Sequence, residues 1–388
     1  MSVQDLALQR NKYKHLSDEE WRWFLQQVEG RERTADKLPT FAAMDDWWYP
    51  VRLSCEQCSS ELTAKYKAQI VNGTCQNGTC LDLTGGYGVD TYFISERFAH
   101  TDYVEQNEEL CRIAAHNFAI MANGERRKVN VHNSSAEAFL KTAGQYDLIF
   151  MDPARRDSHG GKVFRLADCT PKVVELLPTL LAHGKRLMIK LSPMLDLTQA
   201  VKELSVFSTQ WSVYVVAIKN EVKELLLVSG GTGQITAIDL AEPEKAFVFT
   251  KEQETNCPFA INPSPFAFIY EPNAAILKAG AYKLVAERFG LHKLDVNTHL
   301  YASDTLVENF PGRIWRIQSP ITKNEVNRAP VAENHQLPIS QANVLTRNYP
   351  LTPEQLKKKY RLKDGGDSYL IGCRVNGKPT LYTAERIN

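Results

Sequence analysis

The stretch that most constrains this chain is Leu81-Asp82-Leu83-Thr84-Gly85-Gly86-Tyr87-Gly88-Val89-Asp90. An apolar run ending in Asp82 enters a glycine-rich turn, and apolar residues at helical spacing (Val89, Tyr92, Phe93, Phe98) follow directly, which reads as strand, tight turn and helix. Glycine permits backbone angles closed to other residues and removes the side chains that hold a ligand off the main chain. Gly86 and Gly88 would therefore let a nucleoside-bearing cofactor lie against the backbone. About twenty residues on, a second short apolar run, Tyr103-Val104, ends in Glu105, where α/β nucleotide sites place a carboxylate on ribose hydroxyls. Two strand ends thus converge on one crevice. A dinucleotide fingerprint would need a third glycine at residue 91, which is Thr91, and no G-x-x-x-x-G-K-S/T phosphate cradle occurs in the chain.

From residue 79 to about 230 the pattern alternates strand and helix, which argues for a parallel sheet covered on both faces. Strands are expected near 79–84, 101–105, 128–132, 146–151, 185–191, 211–218 and 223–228, with helices near 89–98, 107–123, 135–143, 171–183 and 196–206. The last two strands are separated by only a few residues and must form an antiparallel hairpin. Residues 1–75 read as a helical domain: Ser17 caps a helix with Asp18-Glu19-Glu20 in its first turn, and Trp21, Phe24, Leu25 and Val28 keep helical spacing. Trp47-Trp48-Tyr49 could stack on bases or pack one helix layer onto another. Ser54-Cys55-Glu56-Gln57 fits a capping box that opens a helix with Cys58, Leu62, Tyr66 and Ile70 on its apolar face.

Beyond residue 230 the style changes to a small α+β module over 231–325, with strands at 235–240, 246–250, 266–271 and 313–317 and one long helix from Asn273 to about Phe289. The stretch 319–342 is polar, with prolines at 320, 330 and 338, and reads as a loop or linker. The last domain, 326–388, is basic. Between Ala342 and Ile387, nine residues (Arg347, Lys357, Lys358, Lys359, Arg361, Lys363, Arg374, Lys378, Arg386) face only four acidic ones. Such a lobe suits an anionic partner, although lysine-rich helix faces also occur as solvated surface.

The whole chain carries a net charge of +1, so any case for a nucleic-acid partner must be local. The N-terminus has no apolar run long enough for a signal peptide, and no segment reaches the roughly 18 apolar residues of a membrane span, so a cytoplasmic protein with no membrane partner is expected. Eight cysteines then read as reduced thiols. Cys55-x-x-Cys58 and Cys75-x4-Cys80 could supply four zinc ligands, but the helix expected around Cys58 and the strand beginning at Cys80 absorb cysteine as a small apolar residue, and no structural metal is expected.

The run Asp-Leu-Thr-Gly-Gly-Tyr-Gly resembles the first motif of class I S-adenosylmethionine (SAM) dependent methyltransferases, D-L-x-x-G-x-G, with Thr84 where the commonest form has glycine. The resemblance implies a Rossmann-like α/β fold, a sheet of seven strands with a closing antiparallel hairpin, and SAM as cofactor. It places Asp82, Thr84, Gly85, Gly86, Gly88 and Glu105 around the cofactor and Ser135 and Ala136 at its adenine. Gln57 and Ser59, with Ser60, lie in the segment that closes over its methionine end. Ser135 could instead cap the following helix, and Gln57, Ser59 and Ser60 could serve only capping and solvation.

Asp152-Pro153-Ala154-Arg155 follows the strand 146–151 at its C-terminal end, where open α/β sheets bind ligands. It resembles the fourth motif of amino methyltransferases, D-P-P-Y/F/W. The resemblance implies that the Asp152 carboxylate and the Pro153 carbonyl accept hydrogen bonds from an exocyclic amine. Arg155 stands where that motif has its aromatic residue, and its guanidinium plane could stack on a base. The catalytic segment is similar to trimethylguanosine synthase, which modifies a guanine amine. Lys190 and Asp152, with Lys65 and Glu221, also echo the Lys-Asp-Lys-Glu set of ribose 2′-O-methyltransferases, in which lysine lowers the pKa of the attacking hydroxyl. The tail motifs N-Y-P-L-T-P-E-Q-L-K-K-K and K-D-G-G-D-S-Y-L resemble the THUMP-like module that ends a bacterial group of methyltransferases, and THUMP domains bind RNA. These likenesses imply RNA methylation at a base amine. The alternatives are ribose 2′-O, small-molecule or protein methylation, or a non-catalytic RNA-binding protein on a degenerate fold.

Overall fold

The computed structural model describes residues 3–71, 78–121, 128–155, 165–205, 210–258, 261, 266–321 and 339–387. The chain divides into two compact units, Met1–Val213 with Glu224–Thr232, and Tyr214–Lys223 with Gly233–Asn388.

In the first unit, β1 (Thr79–Asp82), β2 (His100–Glu105), β3 (Lys128–Asn133), β4 (Leu148–Met151) and β5 (Leu187–Leu191) run parallel in the order β3-β2-β1-β4-β5. The hairpin β6 (Trp211–Ile218) and β7 (Glu221–Ser229) continues the sheet, which runs on past β6 to nine strands, with β7 inserted antiparallel next to β5 so that Leu225 faces Leu191 and Val228 faces Met188. β1 to β7 make the Rossmann-like seven-strand arrangement expected from the sequence. The strand order reverses at β1, and the crevice outside the carboxyl ends of β1 and β4 is where such sheets take ligands. β1 and β4 are buried on both faces, with Leu81, Ile149, Phe150 and Met151 all sealed from water, which is why they read as unbroken apolar runs.

The N-terminal helices pack on this sheet through aromatics. Phe41 stacks on Trp47 at 4.1 Å between centroids and meets Tyr92 edge-on at 4.9 Å, while the Trp47 indole N–H donates to the Tyr87 hydroxyl at 2.9 Å. Trp47 and Tyr49 are core residues, and Trp48 lies against His116 at 3.6 Å, so of the two readings of this cluster it is the packing one that the fold realises.

Two expectations in the first unit need correction. Ser54 and Gln57 form no capping box: the helix runs Arg52–Gln57, its N-cap position is Val51, and Cys58 turns to an extended conformation that ends it. A second helix, Glu61–Ile70, starts behind Ser60, whose hydroxyl accepts from the Thr63 N–H at 3.2 Å. Its inward face is also not the apolar one. Leu62 is 45% exposed, whereas Thr63, Ala64, Lys67 and Ala68 are buried, because the inward face meets carboxylates that can neutralise a lysine.

In the second unit, Lys219 and Asn220 both take positive φ at the tip of the hairpin, the geometry of a tight hairpin turn, and the Asp239 carboxylate accepts from both of their N–H groups. β8 (Gln234–Asp239) and β9 (Phe247–Thr250) pair with each other beside the outer half of β6. The long helix expected from Asn273 to Phe289 is in fact two, Ala274–Ala279 and Tyr282–Phe289. Gly280 adopts a left-handed φ of 81° and its N–H returns to Ile276 O, which terminates the first helix.

A second sheet follows, built from β10 (Phe268–Pro272), β11 (His292–Asp295), β12 (Thr298–Ser303), β13 (Gly312–Ile321), β14 (Asn343–Arg347), β15 (Ser368–Val375) and β16 (Lys378–Arg386). Its order is β11-β12-β10-β13-β16-β15-β14, antiparallel except for β14 with β15. The sheet curls on itself: Asn376 N–H donates to Leu294 O and Gly377 N–H to the Asp295 carboxylate, bringing the turn after β15 onto β11. The concave face encloses Ile269, Leu294, Leu300, Trp315, Ile371 and Cys373. β13 extends to Ile321, beyond the short strand expected at 313–317, and most of the loop expected at 319–342 lies outside the described residues.

Candidate functional site

A cavity of about 370 Å³ opens at the carboxyl ends of β1, β2 and β4 in the first unit. The glycine turn forms its inner wall. Gly86 and Gly88 take φ of 58° and 83°, values that L side chains rarely adopt. Gly85 is required for another reason: a Cβ there would fall 2.0 Å from the Tyr103 ring. That ring is buried, and its hydroxyl donates to Gly86 O at 2.6 Å.

Glu105, at the end of β2, accepts from the Gly86 N–H at 2.9 Å through one oxygen and from the Asn107 N–H at 2.8 Å through the other. An ionised carboxylate has about four acceptor sites, so two remain for a diol in the cavity. Ser135 and Ala136 also line the cavity, and the Ser135 hydroxyl accepts from Ala138 N–H at 3.1 Å, so it caps the helix Ala136–Leu140 from the cavity wall. Gln57 and Ser59 are on the wall as well. Ser60 is committed to its helix cap.

Asp82 is sealed under the turn, with its carboxylate accepting from Thr84 N–H at 3.0 Å and from the Thr91 hydroxyl at 2.5 Å. Burial pushes its carboxyl up to about 7, against those two hydrogen bonds and with help from Asp90 and Asp152. The folded state therefore holds a proton on Asp82 that the unfolded chain releases near pH 4. Its stabilising effect is complete below that pH and is lost as pH rises toward 7. Urea unfolding across pH 4 to 7 should show the advantage of the wild type over Asp82→Asn shrinking with rising pH; a constant difference would contradict the burial argument.

Thr84, the departure from the commonest motif, has a structural task here. Its hydroxyl accepts from the Asp152 backbone N–H at 2.6 Å and so ties the glycine turn to the end of β4. Asp152 and Ala154 line the cavity while Pro153 is buried behind them. The Arg155 backbone pairs with Cys169 in a two-residue ribbon; its side chain, with Arg156 and Asp157, lies outside the described residues.

Lys190 ends β5 inside the cavity and forms an ion pair with Asp152. It also reaches the Ser59 hydroxyl at 3.1 Å and Asp90 at 3.5 Å. Burial would lower its pKa, but the carboxylates of Asp152, Asp90 and Glu224 outweigh that and hold the ammonium above the ordinary lysine value. Beneath it Lys67 is wholly buried, donating to both Glu224 oxygens at 2.6 and 2.7 Å and lying 3.1 Å from Asp90. Burial opposes ionisation of Asp90, yet Lys67, Lys190 and the Ser59 hydroxyl together hold it below the usual carboxylate range.

The expected basic and acidic partners of Asp152 and Lys190 are thus displaced. Lys65 is half-exposed and pairs with Glu61, and Glu221 is exposed and pairs with Lys223. Lys67 and Glu224 take the places given to Lys65 and Glu221, one turn-face and one strand-face inward. One charge beside an apolar run is the available signal: Glu224 directly precedes Leu225-Leu226-Leu227-Val228. Removing one partner of a buried pair strands the other, so Lys67→Met should cost about 3–5 kcal/mol in unfolding free energy, and Lys67→Met with Glu224→Leu should recover much of it. Equal stability of the single variant and wild type in urea would contradict the pairing.

Cys75 lies outside the described residues, and with it the four-cysteine arrangement; among the described residues no group of three or more His, Cys, Asp or Glu side chains could hold a metal ion. Burial raises the Cys55 thiol to about 12 and keeps Cys80 well above its ordinary value. No helix among the described residues is long and apolar enough to cross a membrane.

The chain is 32% identical to a protein provisionally named a methyltransferase, from Porphyromonas gingivalis W83, whose crystal structure superposes with a TM-score of 0.83, covering 96% of this chain and 92% of that one. Two uncharacterized SAM-dependent methyltransferases of Mycobacterium tuberculosis, from strains CDC 1551 / Oshkosh and ATCC 25618 / H37Rv, are each 23% identical over 234 residues. That match spans 59% of this chain and 60% of the length of those curated relatives. In the second unit, residues 268–311 match a ferredoxin-like domain family and residues 312–386 a THUMP domain-like family.

Proposed function

Because this chain belongs to the SAM-dependent methyltransferases, we propose that it transfers a methyl group from SAM to RNA, at an exocyclic amine of a base. The cavity residues fit such a cofactor: a carboxylate with spare acceptor sites faces a glycine turn in which side chains are excluded, and the volume is in the range of small-molecule sites. When bound, the cofactor supplies an electrophilic methyl on a sulfonium. The chain's own residues hold and align. Glu105 and the Gly86 turn orient the nucleoside end, while the sealed floor formed by Lys190, Ser59 and Asp90 fixes Asp152 at the wall. Asp152 accepts a hydrogen bond from the acceptor amine and steadies the positive charge that grows on nitrogen as the N–C bond forms.

The single observation that carries this reading is the meeting of Gly86, Glu105 and Asp152 on one cavity. RNA as substrate is supported by the basic final segment and by its THUMP domain-like match. A second reading is favoured by one specific feature. Lys190, with Lys67 and Glu224 behind it, sets an ammonium beside Asp152, an arrangement that would lower the pKa of a ribose 2′-hydroxyl. Incubation with radiolabelled SAM and total cellular RNA, followed by nucleoside analysis, separates the two: a base-methylated nucleoside supports the first reading and a ribose-methylated one the second. SAM binding without label in any RNA fraction would overturn RNA as the substrate class.

A further inference from the structure

The basic excess of the final segment is not evenly engaged. Lys357 is paired with Asp364, and Lys358 and Lys359 project from an exposed helix face. Arg347 stands apart. It ends β14 on the concave side of the curled sheet, in line with Leu345, and its Nε donates to Glu271 Oε1 at 2.6 Å. Glu271 lies on β10 directly opposite Arg313 of β13, and Arg313 Nε approaches the other oxygen, Oε2, at 3.2 Å.

One carboxylate therefore accepts a hydrogen bond from Arg347 and forms an ion pair, without a hydrogen bond, with Arg313. The Glu271 side chain is 2% exposed, while those of Arg313 and Arg347 are 35% and 39% exposed. Each arginine turns its Nε edge to the buried carboxylate, which leaves the outer ends of the forks accessible. Arg347 Nη1 donates to Thr346 O at 2.9 Å, and among the described residues neither Arg347 Nη2 nor either Nη of Arg313 has a hydrogen-bond acceptor. The Trp315 ring lies 6.0 Å from the Arg313 guanidinium. Two positive charges against one negative leave a net positive site of planar donors, with Arg347 held in place by its hydrogen bonds, the chemistry that recognises a phosphate bidentately.

We propose that Arg313 and Arg347, held by Glu271, form a binding site for a backbone phosphate of RNA on the second unit. The proposal rests on RNA being the substrate, and it names where that substrate's backbone is gripped. Glu271 is the positioning residue. Its hydrogen bond removes from Arg347 entropy that a free surface side chain would lose on binding.

The test measures binding of a fluorescein-labelled single-stranded RNA of mixed sequence to the full chain over a range of salt concentrations. Arg313→Gln with Arg347→Gln should weaken binding about tenfold or more and flatten the logarithmic salt dependence by about 0.7 for each phosphate no longer neutralised. Lys358→Gln with Lys359→Gln should change affinity by about twofold at most. Because the glutamine pair leaves Glu271 buried without a counter-ion, Arg313→Lys with Arg347→Lys is measured beside it. The lysine pair keeps the charge balance and the melting temperature, loses the planar fork, and should still weaken binding several-fold. Wild-type affinity and salt slope in both arginine variants would overturn the phosphate site alone. Failure of the wild type to bind RNA even at low salt would overturn the RNA reading together with it.

Discussion

Asp152→Asn should lower methyl transfer to RNA by about 10²- to 10⁴-fold while leaving SAM affinity within about threefold of wild type. The carboxylate lies on the cavity wall in contact with Lys190, and its backbone N–H is separately fixed by Thr84. The amide keeps the shape and the backbone anchor, so the cofactor surface is preserved. It loses the charge that accepts from the acceptor and balances Lys190. Initial rates with labelled SAM, with calorimetry of SAM on the same protein, separate the two effects. A variant that transfers methyl at the wild-type rate would remove Asp152 from the chemistry.

Gly86→Val should abolish detectable SAM binding, an affinity loss of about a hundredfold or more. Two causes add. The residue has a φ of 58°, and a β-branched side chain in that region is a backbone outlier. A Cβ at this position meets nothing but Thr84 O at 3.8 Å, so the side chain would stand in the cavity itself, in space the cofactor needs. The hydrogen bond from the Gly86 N–H to Glu105 would be disturbed at the same time. Thermal melting should fall by no more than a few degrees, since the clash is with ligand space and not with the core. Unchanged calorimetric binding of SAM to the variant would show that the cofactor does not lie against this turn.

Both effects are legible from local chemistry. Glycines at a strand end, a carboxylate at the end of the next strand and Asp152 behind a fourth apolar run are signals written within ten residues of each site, and each of these residues lines the cavity. Thr84 reads as a departure from the motif, and only its hydrogen bond to the Asp152 backbone shows what a hydroxyl does there. The helix from Asn273 breaks in two although apolar spacing continues through Gly280, because that residue's left-handed φ is a decision of the backbone and not of periodicity.

The alternation of strand and helix and the antiparallel hairpin follow from the amino-acid sequence alone, because each depends on neighbours along the chain. The buried layer of Lys67, Asp90 and Glu224, and the anchoring of Arg347 by Glu271, were settled only by tertiary structure. Pattern reading sends a lone lysine or glutamate to solvent, since isolated charge is costly to bury. Lys67 is buried because Glu224, 157 residues away, neutralises it, and no local window of sequence contains both.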